Sequence, residues 1–330
     1  MNPTNTDGHN HYTDLSQIHQ WTHEQFLKRA KTKPDRRCRI ALAPAQDEPF
    51  LQGVALASEA GFLQPILIGN ERRIHEIIDR ADIRINADWR IIHEPDAMDA
   101  VAHAATLIKQ GEADSLMRGR IVVYDFFKTL FHPERGLRDR KQFWSQVGIL
   151  QIPDFPRLLI ISDCGLNVNP DLHQKVRIIE NAVDLAHSIG ITTPRVALLA
   201  AVEAVYLKMP VLVEESILAH FSRRGGFKDA LLDGPLSLDL AISPQAAEKK
   251  KMTGEVAGRA DILIVNNIYV GNSLYKSLVT LGKAQAASVV VGGHVPVVLP
   301  SRSESPQDVL HSLALAAGLW AQRTTGEGPE

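Results

Sequence analysis

Ser301, Arg302 and Asp308 put a hydroxyl, a guanidinium and a carboxylate on one short stretch, "PSRSESPQD", directly after the apolar run "VVVGGHVPVVL". A hydroxyl can donate to an oxyanion as it develops, a guanidinium fork fits phosphate, and a carboxylate can act as a general base. The same stretch also reads as an ordinary helix start. Ser305 suits the cap, Pro306 the first helical position, and Asp308 the first turn, where the helix dipole favours an acid. The two readings are compatible, and the local pattern does not choose between them.

Four further segments place polar groups where apolar runs end: "MRGR" (117–120), "SDCGLNVNPD" (162–171), "DGPLSLD" (233–239) and "NNIYVGNSLYK" (266–276). In the last of these, Gly271 and Asn272 read as the opening of a helix whose free N–H groups would attract an anion, with Lys276 one turn on along the same face. A capped helix with an exposed lysine explains them equally well. Asp163 and Asn167 either touch a ligand or satisfy their own loop. Asp233, with Gly234 and Pro235, is either a turn or a contact. Lys175 lies on the polar side of its helix and reads as a surface lysine. Cys164, with no histidine in its motif, reads as a small buried thiol. None of the segments is a Walker loop or a Gly-x-Gly-x-x-Gly fingerprint, and no His, Cys or carboxylate spacing suggests a metal site. His9 and His11 fall in a polar lead-in.

The elements that must carry these groups follow from periodicity. From Arg39, short apolar runs such as "RIALAPA", "QPILIG" and "ADSLMRG" alternate with longer helical patterns, which predicts βαβ units and a mostly parallel sheet. A second series begins near residue 150 with "RLLIISD". It includes the clearest helix of the chain, "NPDLHQKVRIIENAVDLAHSIG", with Asn169 as the expected cap, Pro170 at its start and Gly190 at its end. The expected organisation is a polar lead-in (1–35), a first α/β domain (36–149 plus 300–330) and a second (150–299). Ligands of open α/β sheets bind outside the carboxyl ends of strands, so the polar strand ends carry the functional signal.

Composition narrows the classes. The 330 residues are 45% hydrophobic and 22% charged, with a formal net charge of −2, so no global basic field points to nucleic acid or an acidic membrane. Two cysteines without framework spacing suit a reducing compartment, and no stretch reaches about 18 uninterrupted apolar residues. A cytoplasmic-type soluble protein is the expectation.

In order along the chain, "DCGLNVNPDLHQKVRIIENAVDLAHSIGITTPRVALLAAVEAV", "LLDGPLSLDLAIS", "AGRADILIVNNIYVGNSLYKSL" and "VPVVLPSR" resemble the phosphate acetyltransferase and phosphate butyryltransferase family, most of all its short butyryl-type members. The resemblance covers roughly residues 39 to 322. It implies the two-lobe isocitrate/isopropylmalate-dehydrogenase-like α/β fold with a cleft between the lobes, and a homodimer. The implied reaction is acyl-CoA plus phosphate giving acyl phosphate plus CoA, with no metal and no prosthetic group. Onto this chain it carries Ser301 as oxyanion donor, Arg302 as phosphate contact and Asp308 as base. It also implies that Arg118 and Lys128 help to hold CoA phosphates, for which a solvated basic face is the equal alternative, and that the segment at Asp233, Gly234 and Pro235 lines the cleft. The sequence departs from the family pattern at Pro300, Asn266, Tyr269, Val123 and Gly165. Those departures keep open a silent relative that only binds CoA or acyl-CoA. A metal-dependent dehydrogenase on the same fold would need a carboxylate cluster that is missing from the sequence pattern.

Overall fold

The computed structural model describes residues 23–30, 36–139, 141–301 and 304–325. The chain runs α1 (His23–Ala30), β1 (Cys38–Ala43), α2 (Glu48–Glu59), β2 (Leu63–Gly69), α3 (Glu71–Arg80), β3 (Arg90–His93), α4 (Ala97–Lys109), β4 (Ser115–Arg118) and α5 (Val123–Leu130). It continues through β5 (Ser145–Gln151), β6 (Leu159–Ser162), α6 (Leu172–Ser188), β7 (Arg195–Leu199), α7 (Pro210–Arg223), β8 (Leu231–Leu236), α8 (Leu238–Ile242) and α9 (Pro244–Lys249). The last elements are β9 (Ile262–Ile264), α10 (Ile268–Thr280), β10 (Gln285–Val291), β11 (Val297–Val298) and α11 (Pro306–Thr325).

All the strands share one sheet, ordered β3-β2-β1-β4-β11-β10-β5-β6-β9-β7-β8. It is covered on both faces, which is why its strands read as unbroken apolar runs. On one face, Leu51 of α2, Ile179 of α6 and Leu313 of α11 pack with Leu42, Ile160 and Val289 of the sheet. On the other, Val101 of α4 and Phe126 of α5 cover Ile66 and Leu116, while Leu240 of α8 and Tyr275 of α10 cover Leu150, Ile161 and Leu263. Helix α11 also packs against α2 and α1. Strand β5 and helix α7 are elements that the strand–helix alternation leaves unassigned.

The pairing is parallel except at the centre, where β10 is antiparallel to both β11 and β5, and β5 is antiparallel to β6. Strand direction therefore reverses across the middle of the sheet. Strands β1, β4 and β11 point one way, and β6, β9, β7 and β8 the other. The register staggers the two sets. Ser162 at the end of β6 pairs with Val147, which pairs with Val289. Val290 pairs with Val297, and Val298 pairs with Met117. The carboxyl ends of the two opposed sets thus meet at one level, over the central β10–β5 pair.

Two sequence expectations need correction. Helix α6 is capped by Asp171, not Asn169: Asp171 accepts the Gln174 amide at 2.8 Å, and Gln174 returns a bond to the Asp171 amide at 2.9 Å. That reciprocal box requires an amide or acid three residues after the cap, and Asn169 has Leu172 there. Gly190, at φ 98°, does end this helix region. Helix α10 starts at Ile268 behind the Asn267 cap, so Gly271 lies inside it and its N–H bonds to the Asn267 carbonyl at 3.1 Å.

Candidate active site

Where the opposed strand ends meet, four of the polar segments are tied together by specific contacts. Arg118 ends β4 and is buried; its guanidinium donates to the Ile121 carbonyl at 2.7 Å, to Gly119, and to the carbonyl of Pro300. The 117–121 turn and the segment that carries Ser301 are thus clamped by one planar fork. Ser288 of β10 donates to the Leu299 carbonyl at 3.5 Å from the other side.

Beyond Pro300, the Ser301 carbonyl accepts the Glu304 amide at 3.1 Å, closing a turn before α11. Ser301 itself is partly exposed. Arg302 lies outside the described residues. Asp308 sits in the first turn of α11 and forms the cap that the sequence suggested. Its Oδ2 accepts the Ser305 hydroxyl at 2.6 Å and the Ser305 amide at 3.1 Å, while Oδ1 accepts the Ala286 amide of β10 at 2.9 Å. A carboxylate oxygen has two lone pairs, so Oδ1, with one hydrogen-bond partner among the described residues, has room for a second there.

Asp163, at the end of β6, is buried and organises its own loop. Oδ1 accepts the amides of Gly165 and Leu166, each at 2.8 Å. Oδ2 accepts Asn167 Nδ2 at 2.6 Å and the Gln146 amide at 3.1 Å. Burial pushes its carboxyl pKa up, and these donors pull against that shift. Asn167 also donates to the Trp144 carbonyl at 2.9 Å, tying the loop to the start of β5. Cys164 is buried, and burial holds its thiol well above the usual range, as suits an inert side chain.

Helix α10 lies directly on this loop. A Cβ on Gly271 would stand 2.3 Å from the Asp163 carbonyl oxygen, so the close approach requires glycine. Asn272 donates to the Cys164 carbonyl at 3.3 Å. Tyr275, one turn on and buried, donates to Glu304 Oε1 at 3.2 Å and so links α10 to the Ser301 turn.

The described contacts bring Arg118, Asp163, Asn167, Gly271, Asn272, Ser301 and Asp308 into this region. Lys276 and Lys128 are exposed on α10 and α5. Asp233, Gly234 and Pro235 lie on β8, the edge strand, where Asp233 accepts the Gly234 amide at 3.0 Å. Among the described residues, no group of three or more His, Cys, Asp or Glu side chains could hold a metal, and no helix is long and apolar enough to cross a membrane.

Three buried groups escaped the sequence reading. Lys175 is buried rather than on the surface, and its ammonium meets Glu214 at 2.7 Å and the Asn266 amide oxygen at 3.3 Å. Nearby Glu215 of α7 is 2% exposed, and burial pushes its carboxyl up to about 8. Glu304 is 6% exposed, and burial pushes it up to about 7. No local pattern marks these side chains, because they become buried only where α6, α7 and the turn before α11 pack against other elements.

The family model described as phosphate acetyl/butaryl transferase matches residues 87–317. The chain belongs to this family of phosphate acyltransferases. It is 41% identical to the phosphate acetyltransferase of Thermotoga maritima over 297 residues, covering 89% of this chain and 98% of that one. It is 39% identical to the phosphate butyryltransferase of Clostridium acetobutylicum over 287 residues, covering 87% of this chain and 95% of the relative. The structure of a branched-chain phosphotransacylase from Enterococcus faecalis V583 superposes with a TM-score of 0.75 at 31% identity, covering 86% of this phosphate acyltransferase and 99% of that chain. The family expected from the ordered motifs is the family found. The fold has the expected mostly parallel α/β sheet, with an antiparallel seam at its centre.

Proposed function

We propose that this phosphate acyltransferase moves a short acyl group, butyryl-type in preference to acetyl, between CoA and inorganic phosphate. The CoA thiolate attacks the acyl carbonyl of an acyl phosphate, the C–S bond forms, the C–O bond to phosphorus breaks, and phosphate leaves with the electron pair. Asp308 takes the thiol proton, Ser301 donates to the carbonyl oxygen as it gains charge, and Arg302 holds the phosphate. Lys128 faces the CoA phosphates, while Arg118, its guanidinium committed to backbone carbonyls, holds the turn beside them. Asn272, Lys276 and the turn at Asp233 contribute to substrate binding. Substrates are CoA, acyl-CoA and phosphate; the reaction uses no metal or prosthetic group, and the enzyme works in the cytoplasm as a homodimer.

The observation that carries this reading is the meeting of opposed strand ends, with Arg118 clamped to Pro300 beside the turn of Ser301. In α/β sheets that is where ligands bind. The relatives supply the acyl-group range: one is named for acetyl, one for butyryl, and one structure for branched-chain transfer.

The test is phosphate-dependent release of free thiol from acetyl-, propionyl- and butyryl-CoA, run with Ser301→Ala and Asp308→Ala. Turnover fastest with butyryl-CoA, together with a loss of about 100-fold or more in kcat in either folded variant, supports the assignment. Absence of thiol release with every acyl-CoA overturns it. Two fully active variants would retain the reaction and remove these two residues from it.

A further inference from the structure

Glu304 occupies an unusual position between the candidate catalytic residues. It follows the Ser301 turn and precedes Asp308, yet its side chain turns inward and is 6% exposed. One carboxyl oxygen, Oε1, accepts the Tyr275 hydroxyl at 3.2 Å, and the Ser301 backbone also hydrogen-bonds to the carboxyl group. The other oxygen, Oε2, is buried without a hydrogen-bond partner among the described residues. A buried carboxylate with an unpartnered oxygen is costly, and apolar residues would fill the space more cheaply. A sole role as packing therefore explains it poorly.

We propose that Glu304 is a positioning residue for acyl transfer, its carboxyl group latching the Ser301 turn to Tyr275 of α10. The inference rests on the assignment of Ser301 above. The groups facing Glu304 come from each element packed on it: Tyr275 from α10, Cys164 from the loop after β6, Asp308 from α11 and Arg118 from β4. Burial is the largest influence on the carboxyl group, which titrates at about 7. Asp308 pushes in the same direction, and Arg118, Tyr275 and the Ser301 backbone oppose it. The ionised form is the stronger acceptor for Tyr275 and Ser301, since bonds to a charged acceptor are roughly twice as strong as neutral ones. A proton would go to the unpartnered Oε2 and leave Oε1 a weaker acceptor. The latch is therefore tight above neutral pH and loosens below it.

The experiment compares kcat and KM for thiol release between pH 5.5 and 8.5 in the parent, Glu304→Gln and Tyr275→Phe. Carboxyl infrared difference spectra are recorded over the same titration. In the parent, kcat should rise through an inflection near 7. Glu304→Gln should remove that inflection and lower the high-pH kcat by roughly tenfold, the scale of one lost charged hydrogen bond, with the CoA KM within about twofold. Tyr275→Phe should move the inflection to higher pH, because it removes a donor that favours the carboxylate. A Glu304→Gln profile equal to that of the parent overturns the latch. So does a uniform loss of activity in which Tyr275→Phe leaves the inflection in place. The infrared titration separates the two readings: a carboxyl band that titrates near neutral pH and is absent in Glu304→Gln, in a protein without turnover, would sink the acyltransfer assignment and leave the latch geometry standing. No such band overturns the latch alone.

Discussion

Asp308 reaches across from the first turn of α11 to the backbone amide of Ala286 on β10, 2.9 Å away. Its other oxygen closes the cap with Ser305. The proposed base is thus also the pin between the last helix and the central antiparallel seam.

That double duty separates two variants. Ser305→Ala removes only the cap hydroxyl and should lower stability by about 1 kcal/mol in urea denaturation, with thiol release within about twofold of the parent. Asp308→Ala also leaves the Ala286 amide unpaired and should cost about 2–3 kcal/mol besides its loss of turnover. Equal stability losses in the two would show that the bond to Ala286 contributes nothing.

Arg118→Lys tests the clamp. An ammonium on a flexible stem cannot reproduce a planar fork that reaches both Ile121 and Pro300. We expect kcat to fall by roughly tenfold with little change in the CoA KM, because the loss is one of positioning. A large rise in KM at constant kcat would instead assign Arg118 to CoA phosphate.

Gly271→Ala should destabilise the protein by about 1–3 kcal/mol, the usual cost of forcing a methyl into a packed interface. The methyl would fall 2.3 Å from the Asp163 carbonyl, so α10 and the loop must separate. Urea denaturation of the variant checks this, and unchanged stability would refute the close approach.

Stability should fall as pH rises from 6.5 to 8.5. Glu215 and Glu304 have folded values raised to about 8 and about 7, so above the unfolded value of about 4.5 the folded state holds protons that the unfolded chain has released. Their contribution is present at low pH and is lost as pH passes through the folded values. His311, whose burial lowers its pKa, works oppositely and only below its ordinary value of 6.5. Glu215→Gln should flatten the melting-temperature profile above pH 6.5; an unchanged slope would remove Glu215 from this account.

The sequence by itself determined the α/β class, since a sheet covered on both faces leaves unbroken apolar runs between amphipathic helices. It also determined the family, from motifs in a fixed order, and the cap of α11, because Ser305 and Asp308 interact within three residues of each other. Local patterns reach about that far. The misplaced start of α10 marks their limit: Gly271 looked like a helix opening, but it is the place where a helix lies on the Asp163 loop.

Tertiary structure alone decided the rest. The reversal of strand direction at β10 and β5 brings Arg118, Asp163 and the Ser301 turn to one level, although they lie far apart in the chain. Packing also made Lys175, Glu215 and Glu304 interior groups. Whether a charged side chain meets water or protein depends on which surfaces come together, and surfaces meet through contacts that no sequence window contains.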